Sequence, residues 1–159
     1  MTDSDSISHT DDAVAALVGV GERVALTARY SREDIARFAE LTQDRNPVHH
    51  DRAAAQRAGL ADVIASGQHT SALMSGLAAS HFSRRDDGVP REMLCLNFNF
   101  SYKAPIFAEH DVALEWTVAA TEWSASLGGV IAQLDGRAVV SNAPAVIARG
   151  TVLVRRAVQ

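Results

Sequence analysis

The stretch of residues 66–82 constrains the fold more than any other, because it has helical character and almost no polar face. A helix that is apolar nearly all round has to be buried, and small residues along it allow a sheet to approach closely. This stretch therefore predicts a buried helix at the centre of the fold. The chain enters this helix through residues 66–70. Its apolar members are Ala72, Leu73, Met74, Leu77, Ala78 and Ala79, and its small members are Ser71, Ser75, Gly76 and Ser80.

After a polar loop at residues 84–90, the apolar periodicity changes from about four residues to two, which is typical of strands. Pro105 ends the first of these strands. Alternation resumes over residues 112–118, and residues 130–141 and 145–154 form a final pair. Within that pair, Asp135-Gly136 fits either the turn of a separate hairpin or a bulge in one long strand, and the sequence leaves both open. The first strand alternates Leu94, Leu96, Phe98, Phe100 and Tyr102 with Cys95, Asn97, Asn99 and Ser101.

The chain before the buried helix predicts one strand and two shorter helices. Residues 23–30 alternate as a strand, and Ser31 opens a capping box for a helix up to residue 42. Asp51 caps a short helix over residues 52–58 that Gly59 ends, and residues 60–65 are predicted to be extended. Helices followed by a meander of strands predict an α+β fold, in which an antiparallel β-sheet is wrapped around the central buried helix.

A loop with acid–base potential lies between the first two helices, in Asp44-Arg45-Asn46-Pro47-Val48-His49. Pro47 lacks a backbone donor and disfavours helical geometry at the residue before it, so a carboxylate and an imidazole are held on an irregular loop. Such loops often carry functional groups. The same residues also suit an ordinary helix-ending turn, since Asp, Asn and Pro are all common in turns. Spacing alone leaves both interpretations open.

This loop resembles the Asp-x-Asn-Pro-x-His signature of the MaoC-like (R)-specific enoyl-CoA hydratases and 3-hydroxyacyl-thioester dehydratases, which have the hotdog fold. The resemblance covers about residues 22–156 and implies a single hotdog domain. It also implies a homodimer, since members of the family pair two sheets edge to edge. The supporting matches are helix 31–42, Ala53 and Ala54, Gly67 at the start of the buried helix, Phe100-Ser101-Tyr102-Lys103-Ala104-Pro105-Ile106, and Asp111 at the start of the next strand.

The resemblance implies that Asp44 and His49 are the catalytic residues, because in the family these two signature positions hold the attacking water. Hydration of a trans-2-enoyl thioester to the (R)-3-hydroxyacyl thioester, or the reverse dehydration, needs a base for water and an acid for C2. A carboxylate and an imidazole can serve in both roles near neutral pH. By resemblance the backbone N–H of Gly67 forms the oxyanion hole, where a missing Cβ lets the substrate come close. The spacing of the signature selects His49 over His50.

Four further residues are assigned to supporting or substrate-pocket roles. Asn46 is expected to orient the loop or the surroundings of His49, and Ser66 to cap the buried helix or to contact substrate. Many relatives have a His before the oxyanion glycine and an apolar residue after it. This chain instead has Ser66 before it and Gln68 and His69 after it, which predicts a pocket suited to a polar or carrier-bound acyl group. His69 fits a backbone-bonded residue at the helix start equally well.

Two other functions fit the same residues. In a hotdog thioesterase Asp44 would activate water against the carbonyl carbon, although the Asn-Pro-x-His continuation argues against this function. A non-catalytic acyl-thioester-binding protein could retain the loop for structure alone. The expected ligand is an acyl thioester of coenzyme A or of an acyl carrier protein, and no cofactor of the protein's own is implied. The His and Cys spacings fit no standard set of metal ligands.

Composition bounds the organisation and the partners of the chain. A length of 159 residues fits one domain, residues 13–159, after an acidic polar segment at residues 1–12 that is predicted to be a mobile tail. A formal net charge of −4 gives no electrostatic reason to expect nucleic acid as a partner. A single cysteine (Cys95), no apolar run long enough to span a membrane and an acidic N-terminus predict a cytoplasmic protein.

Overall fold

The computed structural model describes residues 17–84 and 86–158. The tail predicted at residues 1–12 lies outside the described residues. The strands are β1 (Arg23–Arg29), β2 (Arg91–Tyr102), β3 (Asp111–Ser124), β4 (Gly129–Val140) and β5 (Ala143–Arg156). The α-helices are α1 (Arg32–Leu41), α2 (Arg52–Arg57) and α3 (Gly67–Phe82), and a short 3-10 turn covers Pro47–His49.

The five strands form one antiparallel sheet in the order β1-β3-β4-β5-β2. β3, β4 and β5 follow one another as a meander, β1 pairs with β3 and β2 pairs with β5. β1 and β2 are therefore the two edges of the sheet. α3 packs against β1, β2 and β3, and the apolar side chains between helix and sheet make up most of the core. The predicted α+β architecture, an antiparallel sheet wrapped around a central helix, is confirmed.

Trp116 in β3 joins the sheet to the central helix. Its indole is fully buried, and its Nε1–H donates a hydrogen bond to the backbone carbonyl of Met74 in α3 at 2.8 Å. The ring of Phe98 in β2 stacks on it with the ring centroids 5.2 Å apart. A large aromatic residue with a satisfied N–H stabilises a core strongly, because it combines a large buried apolar area with a hydrogen bond. Trp116 thus fixes the position of α3 over the sheet.

Asp135-Gly136 forms neither of the arrangements that the sequence left open. β4 runs from Gly129 to Val140 without a turn, and Gly136 pairs in register with Trp116. The irregularities of register fall elsewhere in the sheet. A Cβ on Gly136 would lie 2.4 Å from the nearest ring atom of Trp116. The glycine is therefore required by the indole across the strand pair, which a local turn signal could not reveal.

α3 is buried along a single stripe within this chain. Thr70, Met74, Ala78 and Phe82 lie four residues apart and are buried against the rest of the molecule. The expectation of burial holds for this stripe only, and several of the small residues lie on the opposite face. The exposed residues of α3 are Gln68, Ala72, Gly76, Ala79 and Ser80.

The local signals ahead of α3 give a mixed result. Ser31 forms the expected capping box of α1, Asp51 caps α2, and Gly59 follows α2 with a φ of 82°. Residues 60–65, which were expected to be extended, contain bends and one isolated β-bridge at Ile64. The extended part is therefore confined to the end of the segment, around Ile64, which pairs with Phe107 just before α3 begins.

Among residues 17–84 and 86–158, no helix is long and apolar enough to cross a lipid bilayer. α3 has 16 residues, whereas a crossing helix needs about 20. The cytoplasmic location is a separate matter and stays a prediction.

Gly136→Ala should lower the free energy of unfolding by about 1–3 kcal/mol, because the added methyl would press on the buried Trp116 ring. Urea denaturation with a comparison of m-values measures the change. Gly19→Ala is the control, since no atom lies within 4 Å of a Cβ at Gly19. It should change stability by less than about 1 kcal/mol. Equal stability of the two variants would contradict the role given to Gly136.

Candidate active site

The loop between α1 and α2 is shaped by its own hydrogen bonds. Gln43 has a positive φ of 57°, and the N–H of Asp44 donates back to the carbonyl of Ala39 at 2.8 Å. The carboxylate of Asp44 then accepts from the N–H of Asn46 at 3.0 Å. The side chain of Asn46 in turn caps the 3-10 turn Pro47–His49. Asn46 thus caps the turn that carries His49, and its supporting role in a functional site stays a prediction.

The side chains of Asp44 and His49 face each other, with Oδ2 and Nε2 3.4 Å apart. The other ring nitrogen of His49, Nδ1, lies 2.7 Å from the carbonyl oxygen of Ile64. Because a carbonyl can only accept, Nδ1 carries the proton, and Nε2 of the neutral ring is an acceptor. The His49 side chain is 8% exposed and that of Asp44 33% exposed. The unbonded nitrogen of a buried imidazole and a half-buried carboxylate therefore face each other.

His50 has a different environment from its neighbour. Its side chain is exposed, and its Nε2 makes a 2.9 Å hydrogen bond with the backbone carbonyl of Asp44. It bonds to the backbone of the loop, and among the described contacts only His49 lies within ion-pair distance of the Asp44 carboxylate. The geometry is therefore in keeping with the assignment of His49 as the acid–base imidazole.

Ile64 connects the acid–imidazole pair to the start of α3. Its carbonyl holds the ring of His49, and its N–H donates to the carbonyl of Val48 at 3.2 Å. Two residues later Ser66 caps α3, with its hydroxyl accepting from the N–H of His69 at 3.3 Å. Because these links are bonds to the backbone, they set where the first turn of α3 lies relative to the loop.

Gly67 begins α3 with the ring of Tyr102 against it. A Cβ at Gly67 would lie 2.6–2.8 Å from three ring carbons of Tyr102. The Tyr102 hydroxyl shares a 2.7 Å hydrogen bond with Oγ of Ser71, which holds the ring over the first turn of α3. The family resemblance implies one reason for a glycine here, which is close approach of a substrate. The fold supplies a second reason, because the ring of Tyr102 occupies the space that a side chain at position 67 would need.

A cavity of about 390 Å³ opens beside the N-terminus of α3. Ser66, Gly67 and Gln68 line one side of it, and Tyr102 and Lys103 from the end of β2 line another. Three of the residues singled out from the sequence are thus brought to one cavity. The hydroxyl of Ser66 is already used as the helix cap, so the cap is its structural role.

His69 lines a different cavity, of about 350 Å³, between α1 and α3. Its ring stacks on Phe38, with centroids 4.4 Å apart and planes at 3°, and lies 4.4 Å from the ring of Tyr30. Burial lowers the pKa of His69, and the nearby carboxylate of Asp34 partly opposes this. Its Nδ1 is buried and finds no hydrogen-bond partner in the described part of the chain. His69 does not join Gly67 in one cavity, and its substrate-pocket role stays a prediction.

Asp44 lines a cavity of its own, of about 400 Å³, with His50 and residues of α1, and neither Asp44 nor His49 lines the cavity beside Gly67. The two sets of groups are suited to proton transfer and to binding a polar oxygen, respectively. The loop supplies a carboxylate and an imidazole acceptor, and the first turn of α3 supplies backbone N–H groups that have no partner inside the helix. Within the described ranges, no three His, Cys, Asp or Glu side chains are grouped so that they could hold a metal ion.

An antiparallel sheet wrapped around one long helix defines the hotdog class of fold, and this chain has it. Residues 22–126 match the family model described as MaoC like domain. Because the match covers more than half of the chain, the protein belongs to the MaoC-like family of hydratases and dehydratases.

Individual relatives agree with this family assignment at low identity. The (R)-specific enoyl-CoA hydratase of Aeromonas caviae is 30% identical over 101 residues, which are 64% of this chain and 71% of the relative. A solved structure of an (R)-hydratase from A. caviae involved in PHA biosynthesis has a TM-score of 0.74 at 28% identity, covering 85% of this chain and 96% of that one.

One further relative is named for an acyl-carrier-protein substrate, and one similar solved structure is a complex of two different subunits. The mitochondrial 3-hydroxyacyl-acyl-carrier-protein dehydratase FERN of Solanum lycopersicum is 22% identical over 144 residues, 91% of this chain and 81% of the relative. The ChsH1–ChsH2 complex of Mycobacterium tuberculosis has a TM-score of 0.73 at 19% identity, covering 87% of this chain and 99% of that one. This last likeness establishes the fold alone.

Two residues of the Gly67 cavity, Tyr102 and Lys103, had no site role in the sequence-based assignment. Both lie in the string of residues 100–106 that marks the family resemblance, so a signal for them existed. Alternation placed Tyr102 only on a strand face. Its contact with Gly67 joins positions 35 residues apart, and only the packing of β2 against α3 creates it.

Gly67→Ala should lower the free energy of unfolding by about 1–3 kcal/mol, because its methyl would press on the Tyr102 ring. In the double variant with Tyr102→Ala the methyl has space, so the two effects should be non-additive by more than about 0.5 kcal/mol. Chemical denaturation of wild type, both single variants and the double variant measures this coupling. Additive effects would mean that something other than Tyr102 excludes a side chain at position 67.

Proposed function

We propose that this protein is a hydro-lyase that reversibly hydrates trans-2-enoyl thioesters to (R)-3-hydroxyacyl thioesters. The observation that carries the proposal is the approach of two hydrogen-bond acceptors, Asp44 Oδ2 and His49 Nε2, to 3.4 Å. When the ring of His49 is neutral, both atoms accept, and a water molecule has two O–H groups to offer them. The pair is therefore suited to hold and orient one water.

Proton transfer by this pair accounts for both halves of the reaction. As the water oxygen attacks C3 of the enoyl group, the pair takes one proton from the water and the C3–O bond forms. The π electrons of the C2–C3 bond move toward the thioester carbonyl, and the pair then delivers a proton to C2. The pair ends in its starting protonation state. Because Asp44 and His49 lie within ion-pair distance, the proton is best assigned to the pair as a unit.

The first turn of α3 is suited to stabilise the charge that this reaction creates. Negative charge develops on the thioester oxygen, and the N–H of Gly67 is the first of the unpaired donors at the start of α3. A donor of this kind lowers a barrier by about 2.7–4 kcal/mol. Gly67 also lines the 390 Å³ cavity, with Gln68 beside it as a polar wall.

The stereochemistry and the carrier of the substrate are proposed from the relatives. The A. caviae relative is an (R)-specific enoyl-CoA hydratase, and the tomato relative is a dehydratase of acyl-carrier-protein thioesters. An acyl thioester of coenzyme A or of an acyl carrier protein is the common substrate class. In this proposal the pantetheine group is part of the substrate and is not a cofactor of the protein.

We further propose that the protein is a homodimer that pairs two copies of β2. This strand is a 12-residue edge of the sheet, and unpaired edge strands favour pairing with another chain. Leu94 and Leu96 are each 48% exposed on it, which is unusual for leucines in a strand that faces only solvent. Neighbouring α3 also presents a face of small residues. Relatives that are complexes of two subunits, such as ChsH1–ChsH2, support an assembly of this kind.

Leu96→Lys should shift the dimer toward monomer, because it puts a charge into the apolar part of the β2 edge. Sedimentation velocity over a range of protein concentrations measures the change. Leu26→Lys is the matched control, since Leu26 is 42% exposed on β1 at the opposite edge of the sheet. If Leu26→Lys dissociates the dimer and Leu96→Lys does not, the interface lies at the β1 edge and the proposed pairing of β2 is wrong.

Asp44→Asn and His49→Ala should each lower kcat for hydration of crotonyl-CoA by about 10²–10⁴-fold, because each removes one of the two groups that handle the proton. Loss of the enoyl-thioester absorbance without release of free thiol measures hydration. His50→Ala is the matched control and should retain most activity, since that ring bonds only the backbone in the described contacts.

Two results would contradict the proposal. Release of free thiol by the wild-type protein would point to the thioesterase instead. Binding of acyl thioesters without turnover, together with binding that is indifferent to His49→Ala, would point to an acyl-thioester-binding protein that retains the loop for structure.

A further inference from the structure

The cavity beside Gly67 carries an electrostatic feature that hydration itself does not use. Among the described residues that line it, Lys103 alone has a formal charge, and no acidic side chain faces it there. The protein as a whole has a net charge of −4. A cavity whose one charged wall is cationic, in an acidic protein, favours an anionic part of a ligand.

Lys103 is also set apart from most basic side chains of the protein. The described arginines of β1, α1, α2, β4 and the outer face of β5 lie within ion-pair distance of carboxylates, as Arg23 does with Glu115 and Arg149 with Asp135. No carboxylate in residues 17–84 or 86–158 lies that close to Lys103. Its ammonium is therefore not neutralised by the described chain.

The position of Lys103 is fixed by the sheet even though its side chain is exposed. Its backbone N–H donates to the carbonyl of Ala145 at 2.8 Å, directly after Tyr102 ends β2. Tyr102 is in turn held against Gly67 by its hydrogen bond to Ser71. The lysine stem thus starts at a defined distance from the N–H that would receive the thioester oxygen.

We infer that Lys103 binds the phosphate that esterifies the pantetheine arm of the thioester carrier. The inference rests on the proposed thioester substrate and adds the group that recognises its carrier. This phosphate is common to coenzyme A and to the phosphopantetheine of a carrier protein. An ammonium on a flexible stem is a suitable partner for phosphate oxygens that sit at the mouth of a cavity.

The distances on the two sides of this contact agree. The ammonium of Lys103 can lie up to about 16 Å from Gly67. This reach is the sum of the Tyr102 side chain, which contacts Gly67, one Cα–Cα step and an extended lysine side chain. The arm from the thioester carbon to the phosphorus is as long as about four to five extended residues, or roughly 15 Å. A thioester with its oxygen at Gly67 can therefore present its phosphate to Lys103.

The test measures binding, so that it does not depend on turnover. The ligands are saturated butyryl thioesters, which have no double bond to hydrate: butyryl-pantetheine, butyryl-4′-phosphopantetheine, butyryl-CoA and butyryl acyl carrier protein. Titration calorimetry gives Kd for the wild type and for Lys103→Ala and Lys103→Arg. Arg149→Ala is the control, because it removes the same charge from the outer face of the sheet, where Arg149 pairs with Asp135.

For the wild type, the step from pantetheine to phosphopantetheine should tighten binding by about three- to tenfold. Lys103→Ala should abolish that gain and weaken butyryl-CoA and the carrier-protein thioester by the same factor, while Lys103→Arg and Arg149→Ala keep it. A gain that survives in Lys103→Ala would overturn the inference. So would a penalty confined to butyryl-CoA, because the contact would then be with the nucleotide phosphates.

The outcomes for the two proposals can be told apart. If phosphate-dependent binding disappears in Lys103→Ala but no crotonyl thioester is hydrated by the wild type, the hydro-lyase proposal fails and the phosphate contact stands. If crotonyl thioesters are hydrated but Lys103→Ala leaves the phosphate gain unchanged, only the phosphate contact fails.

Discussion

The position of the central helix depends on the burial of Trp116 beneath it. The indole bonds to the backbone of Met74, so the helix is held by a directional contact as well as by apolar packing. This contact requires that Gly136, opposite Trp116 in the sheet, has no side chain. Gly150 and Phe98 form a second pair of the same kind, since a Cβ at Gly150 would lie 2.5 Å from the Phe98 ring. Paired glycines and aromatic rings thus set the distance between sheet and helix.

The candidate active site extends this principle from the core to the surface. The carboxylate–imidazole loop is shaped by its own hydrogen bonds, but its imidazole is oriented by the carbonyl of Ile64 in the segment that leads into α3. The first turn of α3 is in turn packed against Tyr102 at the end of β2. Acid–base groups, backbone donors and the cavity wall come from three parts of the chain. Their relative positions follow from backbone bonds and from one glycine contact.

The parts of this protein that could be predicted from sequence are those set by neighbours along the chain. The caps at Ser31, Asp51 and Ser66 each follow from a polar side chain that satisfies backbone donors two or three residues ahead. Strand alternation gave β2 and β3 in the same way. The sequence did not settle Asp135-Gly136 and described residues 60–65 only in part, because the partners of these segments lie far away in sequence and no local pattern encodes them.

By itself, the sequence determined the α+β class, the long central helix, the family, and the presence of an Asp and a His on one proline-containing loop. Tertiary structure alone decided which imidazole nitrogen is free, because that depends on a carbonyl 15 residues away. It also decided that Gln68 and His69, adjacent in sequence, line different cavities, and that Lys103 shares a cavity with Gly67. The physical reason is that cavities and proton positions are properties of surfaces that meet only after strands and helix have packed.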